Sequence, residues 1–230
     1  GDGIEGYNAK ETKKRNKINA GMVVGIIGIF IAICAVAALI GLKQGWFSSG
    51  IIKETVAVSG NTDEENEMLE VTRWTNTIMR DLLISQADSA ALYACGNAFV
   101  TSRSAISYSD GKYRIADETV EKGDISNLKP IADNKELVEL ALCFQQITDI
   151  SALKDLKKLQ YLDLSGNEID DISPASEMDN LRVLKLCHTN VTNLKAALNM
   201  KSLEKLYISF EMVKYAQNIL NGDFEVVITE

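Results

Sequence analysis

An apolar period of 22 residues constrains this chain more than any other feature. Leu137, Leu159, Leu181 and Leu203 share one column, Leu140, Leu162, Leu184 and Leu206 the next, and Leu142, Leu164, Leu186 and Ile208 a third. Ile147, Ile169 and Val191 align further along, followed by Ile150, Ile172 and Leu194. Neither a lone helix nor a lone strand repeats at this interval, whereas stacked solenoids do. Within each copy, Leu-x-x-Leu-x-Leu sets two leucines two residues apart, so both face one side of a short strand buried on that side. A polar position follows: Gln145, Asn167, then Thr189. An amide there can bond backbone groups that lose their ladder partners where the chain turns. Thr189 can do only part of this, so the third copy is expected to turn more loosely, with Asn190 as a substitute. Leu156, Met178 and Met200 end the return limb. One copy cannot enclose a core, but stacked copies share one.

The copies running Leu137 to Leu156, Leu159 to Met178 and Leu181 to Met200, with the start of a fourth, resemble the 22-residue class of leucine-rich repeat found in bacterial internalins and in some intracellular phosphatase regulators. The resemblance covers about a third of the chain. It implies an α/β solenoid of short parallel strands whose concave side binds a protein. It also implies bacterial origin and a scaffold, not an enzyme. The side chains between the buried leucines would carry the binding: Phe144, Tyr161, Asp163, Val183, Lys185, His188, Lys205, Tyr207 and Phe210. Aromatic residues with interspersed charges suit such a patch, although an ordinary solvated sheet face would read the same way.

Residues 1–20 form a basic tail with Lys10, Lys13, Lys14, Arg15 and Lys17, and residues 21–42 contain no charge. At helical rise that run reaches roughly 33 Å, enough to cross a hydrocarbon core of about 30 Å. We expect a single-pass transmembrane helix, with the amino terminus cytoplasmic and the repeats extracytoplasmic, because the basic residues precede the span. Ala35, Val36 and Ala37 keep a cleaved signal peptide open as the rival reading, against which the apolar run continues past them. Gly21, Gly25 and Gly28 could bring two such helices together as a homodimer. A tether over 43–61 would follow, with Trp46 and Phe47 at the head-group level.

Residues 62–134 are expected to cap the solenoid. Thr62 to Glu65 form a capping box, and Met68, Val71, Trp74, Ile78 and Leu82 recur at helical spacing, giving a helix packed on the Ala-rich segment Ser89 to Val100. Asp110-Gly111 between Ala105–Tyr108 and Tyr113–Ile115 reads as a hairpin turn. Twenty-two residues before the first full copy stand Ile115, Val120, Ile125 and Leu128, with Glu118 where a leucine belongs, so a degenerate opening copy is expected there. The repeats fill 135–209. Residues 210–230 form the other cap, a helix Glu211 to Leu220 stopped at Asn221-Gly222 and a closing strand with Phe224, Val226 and Ile228.

A net charge of −8 disfavours nucleic acid. Cys143 and Cys187 stand two copies apart, roughly 9.5 Å between parallel strands, beyond disulfide reach. Neither a metal site nor a Cys-His nucleophile assembles from Cys143, Cys187 and His188, whose side chains diverge. No phosphate loop, metal or cofactor motif is present. The function expected is a membrane-anchored, extracytoplasmic repeat protein binding a protein or cell-envelope component. The alternative is the sensor ectodomain of a signalling protein whose cytoplasmic domain would precede Gly1.

Overall fold

The structure, a computed structural model, describes residues 51–57, 68–74 and 90–229, with side chains for 71–73 and 90–229. All of them lie in the compact unit Ser49–Glu230. The basic tail, the apolar run 21–42 and its Gly21, Gly25 and Gly28 stripe lie outside the described residues. Among the described residues no helix is long and apolar enough to cross a membrane.

The strands in chain order are β1 (Ile51–Ala57), β2 (Met68–Trp74), β3 (Ala91–Cys95), β4 (Ala98–Val100), β5 (Ile106–Ser109), β6 (Lys112–Ile115), β7 (Glu118–Thr119), β8 (Glu139–Cys143), β9 (Tyr161–Asp163), β10 (Val183–Lys185), β11 (Lys205–Ser209) and β12 (Glu225–Thr229). Nine form one sheet in the order β1-β2-β4-β3-β8-β9-β10-β11-β12, while β5, β6 and β7 form a second, antiparallel one. From β3 to β12 the main sheet is otherwise a parallel ladder that follows the leucine columns, Leu140 beside Leu162, Leu184 and Leu206. Behind it the leucines and isoleucines of all copies merge into one core, with Leu137, Leu140, Leu159, Leu162, Leu181 and Leu184 wholly buried.

The polar turn column locks neighbouring copies together. Asn167 Oδ1 accepts from Ile147 N–H at 3.1 Å, while its amide donates to Leu142 O at 2.7 Å and Leu164 O at 2.8 Å. Gln145 does the same one copy earlier, accepting from Ile125 N–H and donating to Gly96 O and Cys143 O. Thr189 reaches only Leu186 O in its own copy and the Met212 sulfur. The copy-to-copy backbone bonds Gln146 N–H to Ile125 O and Glu168 N–H to Ile147 O have no counterpart from exposed Asn190, which therefore does not substitute. The third turn thus makes fewer hydrogen bonds to the preceding copy than the second does. A second polar column, Asn127, Asp149, Asp171 and Asn193, escaped the sequence reading. Each side-chain oxygen accepts the N–H two residues ahead, at 2.7–3.1 Å, and starts a short helical turn on the return limb.

Three expectations need correction. Met68–Trp74 is a strand and not a helix, pairing with β1 and β4. The spacing of Met68, Val71 and Trp74 fits a helix, yet β-branched and aromatic residues also suit a strand, and two waiting neighbours decide the matter. Residues 51–57, at the far end of the expected tether, form β1. Within the Ala-rich segment, β3 and β4 form an antiparallel pair.

The opening copy is split. Ile125 and Leu128 sit in the main core, as counting back 22 residues requires. Its strand, however, is β3, where Leu92 pairs with Leu140 and Ala94 with Leu142, 48 positions apart instead of 22. The difference is an insertion of 26 residues between Gly96 and Gly123. It holds β4 to β7, with Asp110 at φ 52° and Gly111 at φ 73° in the expected hairpin turn. Glu118 lies in β7 of that insertion, which is why no leucine stands there.

At the far end, Phe210–Asn218 winds as a 3-10 helix burying Met212 and Ala216, tighter than the α-helical face expected. The closing strand exists as β12, parallel to β11, with Val226 and Phe224 packed on the core. It lengthens the sheet more than it covers it, leaving Ile228 53% exposed.

Candidate functional site

Side chains between the buried leucines form three columns on the opposite, outward sheet face. They are Glu139, Tyr161, Val183 and Lys205; Ala141, Asp163, Lys185 and Tyr207; and Cys143, Ser165, Cys187 and Ser209. A fourth column follows in the turns: Phe144, Gly166, His188 and Phe210. The first three of these adopt left-handed backbone, at φ 55°, 75° and 56°. Glycine accepts this freely, whereas an aromatic or imidazole side chain there costs of order 1–3 kcal/mol. The insertion packs against both Phe144 and His188, and His188 is also held by Ser209, whose Oγ accepts its N–H at 3.0 Å, and by Glu211, 3.0 Å from Nδ1.

The β5–β6 hairpin lies over this face. Tyr113 stacks on Phe144 with ring centroids 5.0 Å apart, and Tyr108 meets the His188 ring at 4.1 Å. Gly166 lets the Tyr113 ring approach, since a Cβ there would come within 2.7 Å of it. Ala98, Val100, Tyr113, Ile115 and Val120 of the insertion then bury Cys95, Ala141 and Cys143 in a second core. A cavity of about 220 Å³ remains between hairpin and sheet, walled by Arg103, Tyr108, Tyr113, Tyr161, Lys185 and His188 among others. The Tyr113 hydroxyl is buried there without a hydrogen-bond partner.

The polar groups beneath are closely matched. Buried Asp163 accepts from Ser165 N–H at 3.0 Å and Ser165 Oγ at 2.6 Å, and pairs with Lys185 Nζ at 3.2 Å. Arg103 lies 4.2 Å over the Tyr161 ring while bonding Glu139. Burial works to lower the Lys185 ammonium, but the Asp163 carboxylate outweighs it and the net shift is upward. Burial also raises all three thiols, Cys95 to about 12 and Cys143 well above the ordinary range, with Asp163 adding to both. Cys95, Cys143 and Cys187 are free and hold their protons at neutral pH. Such thiols are poor nucleophiles and poor metal ligands. Among the described residues no His, Cys, Asp and Glu cluster could hold a metal ion.

Of the nine residues expected to form the patch, Phe144, Tyr161, Asp163, Lys185 and His188 are drawn together under or beside the insertion. Val183, Lys205 and Tyr207 remain on the uncovered carboxyl-terminal part, where Lys205 pairs with Glu225 and Lys185 lies over the Tyr207 ring. Phe210 stands past the end of β11, 76% exposed. Sequence reasoning missed Cys95, Arg103, Tyr108 and Tyr113. The Asp-Gly turn signalled their hairpin, but nothing in a single sequence says which surface a hairpin will cover.

Residues 124–177 match the leucine rich repeat family in two copies. No curated protein matches the chain. Similar solved structures include an internalin of Listeria monocytogenes (22% identity, TM-score 0.37, 47% of this chain and 34% of that one) and internalin C2 of the same organism (25%, TM-score 0.38, 48% and 52%). The ectodomain of the receptor kinase SOBIR1 from Arabidopsis thaliana is also similar (22%, TM-score 0.34, 67% and 95%). The chain thus spans between a third and about half of the two internalins. Repeats of this kind generally mediate protein–protein interaction and are typically non-enzymatic scaffolds.

Proposed function

We propose that this leucine-rich repeat protein binds a protein or cell-envelope component through the uncovered carboxyl-terminal part of its strand face, around Val183, Lys205 and Tyr207. One observation carries the reading: the insertion covers the face over its first copies and stops short of these residues, leaving a half-exposed aromatic with flanking lysines on the strand face. Tyr at such a position offers large contact area at small entropy cost. The protein is held at a bacterial cell membrane by residues 21–42, with its amino terminus cytoplasmic and its repeats outside. The uncharged length of that run and the basic residues before it support this orientation.

Protease shaving of intact cells tests the placement, because the repeats should be digested while a cytoplasmic marker survives. For the surface, Lys205→Ala with Tyr207→Ala should weaken binding to envelope extracts at least about tenfold, equivalent to about 1.4 kcal/mol, without lowering the melting temperature. Unchanged affinity would remove this assignment.

A further inference from the structure

Strand β12 has a neighbour on one side only among the described residues. One contact fixes where its backbone groups point: Glu225 N–H donates to Glu204 O at 2.8 Å, toward β11. In a parallel pairing, alternate residues turn both N–H and C=O to the same neighbour. Glu225, Val227 and Thr229 therefore serve β11, and Val226 and Ile228 offer their backbone groups to the open edge. Natural sheets guard such an edge with lysine, proline, a bulge or a cover. Here β12 reads Glu-Val-Val-Ile-Thr, in unbroken register over five residues, and its single charge is engaged by Lys205. The strand at the opposite edge, β1, carries Lys53 and Glu54. Ile228 is 53% exposed although Ile208, its neighbour in register, is fully buried.

We infer that β12 pairs antiparallel with β12 of a second copy of this chain, about a two-fold axis beside Val227. In that register Val226 of each copy faces Ile228 of the other, and both pairs use the backbone groups that point outward, giving four interchain hydrogen bonds. Val227 meets its own symmetry mate at the position where no ladder bonds are made. Glu225 falls opposite Thr229, so no two carboxylates meet. The Val226 and Ile228 side chains join into one apolar row continuous with the cores of both copies. A two-fold interface requires a patch that complements itself, and this strand does so in charge, hydrogen-bond direction and side-chain row. The pairing is independent of the partner surface proposed above and would join two such faces in one continuous sheet.

The test uses the full 230-residue chain in mild detergent. A pair of antiparallel residues without ladder bonds stands about 4.5 Å apart at Cα, within disulfide range. With oxidised glutathione as acceptor of the two electrons and two protons, Val227→Cys should form an interchain disulfide, releasing two glutathione thiols. A dimer band should appear on non-reducing gels that the wild type, with its native cysteines, does not give. In light scattering the wild type should have the mass of a dimer and Val227→Lys, which sets two ammonium groups against each other, that of a monomer with unchanged near-UV circular dichroism. The inference is overturned if Val227→Cys crosslinks no more than the wild type, if the wild type is monomeric up to its solubility limit, or if the dimer survives Val227→Lys. Survival in that variant would point to contact elsewhere, such as the Gly21 to Gly28 stripe.

Discussion

The first copies of this solenoid and the last are built from the same columns yet differ in how they are held. Around β3, β8 and β9 the strand face is roofed by the insertion, and the turns behind it are tied copy to copy by Gln145 and Asn167. Around β10 and β11 the face opens, and Thr189 drops the copy-to-copy bonds. Identical leucines thus support a rigid, doubly covered half and a singly covered half that presents its side chains. Binding surfaces need that second condition, since a roofed face has no room for a partner.

The largest effect should come from breaking the roof. Tyr113 is 6% exposed and holds Phe144 in its strained backbone, so Tyr113→Ala should lower unfolding stability by about 3–5 kcal/mol. Chemical denaturation measures this. A loss below about 1 kcal/mol would mean the hairpin merely rests on the sheet. Asn167→Ala comes next, at about 2–4 kcal/mol, because three buried backbone groups lose their only amide. An equal loss on Thr189→Ala would erase the contrast between the halves.

The buried thiols extend the comparison to pH. A thiol whose folded value is raised favours the native state fully below its ordinary range, and that contribution is lost as pH rises toward the folded value. For Cys95 the window runs from the ordinary thiol range to about 12. The unfolded chain ionises first, so stability should fall by about 1.4 kcal/mol for this group by pH 10. Melting curves of Cys95→Ala should show a correspondingly shallower alkaline decline. Cys187→Ala should change the slope less, since hydrogen bonds from Thr229 and Ser165 pull its value back down.

How much of this was legible in the sequence follows the same division. Leu140, Leu162, Leu184 and Leu206 disclosed the parallel ladder because a stacked repeat repeats its side-chain demands. Ile125 and Leu128 disclosed the return limb of the opening copy for the same reason. Its strand was invisible because the insertion shifted Leu92 and Ala94 out of phase, and β2 was invisible because Met68, Val71 and Trp74 keep helical spacing while neighbouring strands decide the outcome. Five of the residues expected in the patch meet the chain's own hairpin or one another. Outward direction is a property of a strand, whereas exposure depends on everything else that packs there.

The smallest effect is the most specific to the comparison. Thr189→Asn restores to the third copy the amide that the second has. By analogy with Asn167, its oxygen would accept from Ile169 N–H and its amide would donate to Leu164 O and Leu186 O. Thr189 already supplies the bond to Leu186 O, so the net gain is one or two hydrogen bonds, about 1 kcal/mol. The melting temperature should rise by a few degrees, and hydrogen exchange at Ile169 should slow, which no general stabilisation would single out. Space is the opposing consideration, because the Met212 sulfur lies 3.9 Å from the Thr189 hydroxyl. A lowered melting temperature with unchanged exchange at Ile169 would show that Met212 already fills the place of the missing amide, and that the open half is looser by packing and not by want of a hydrogen bond.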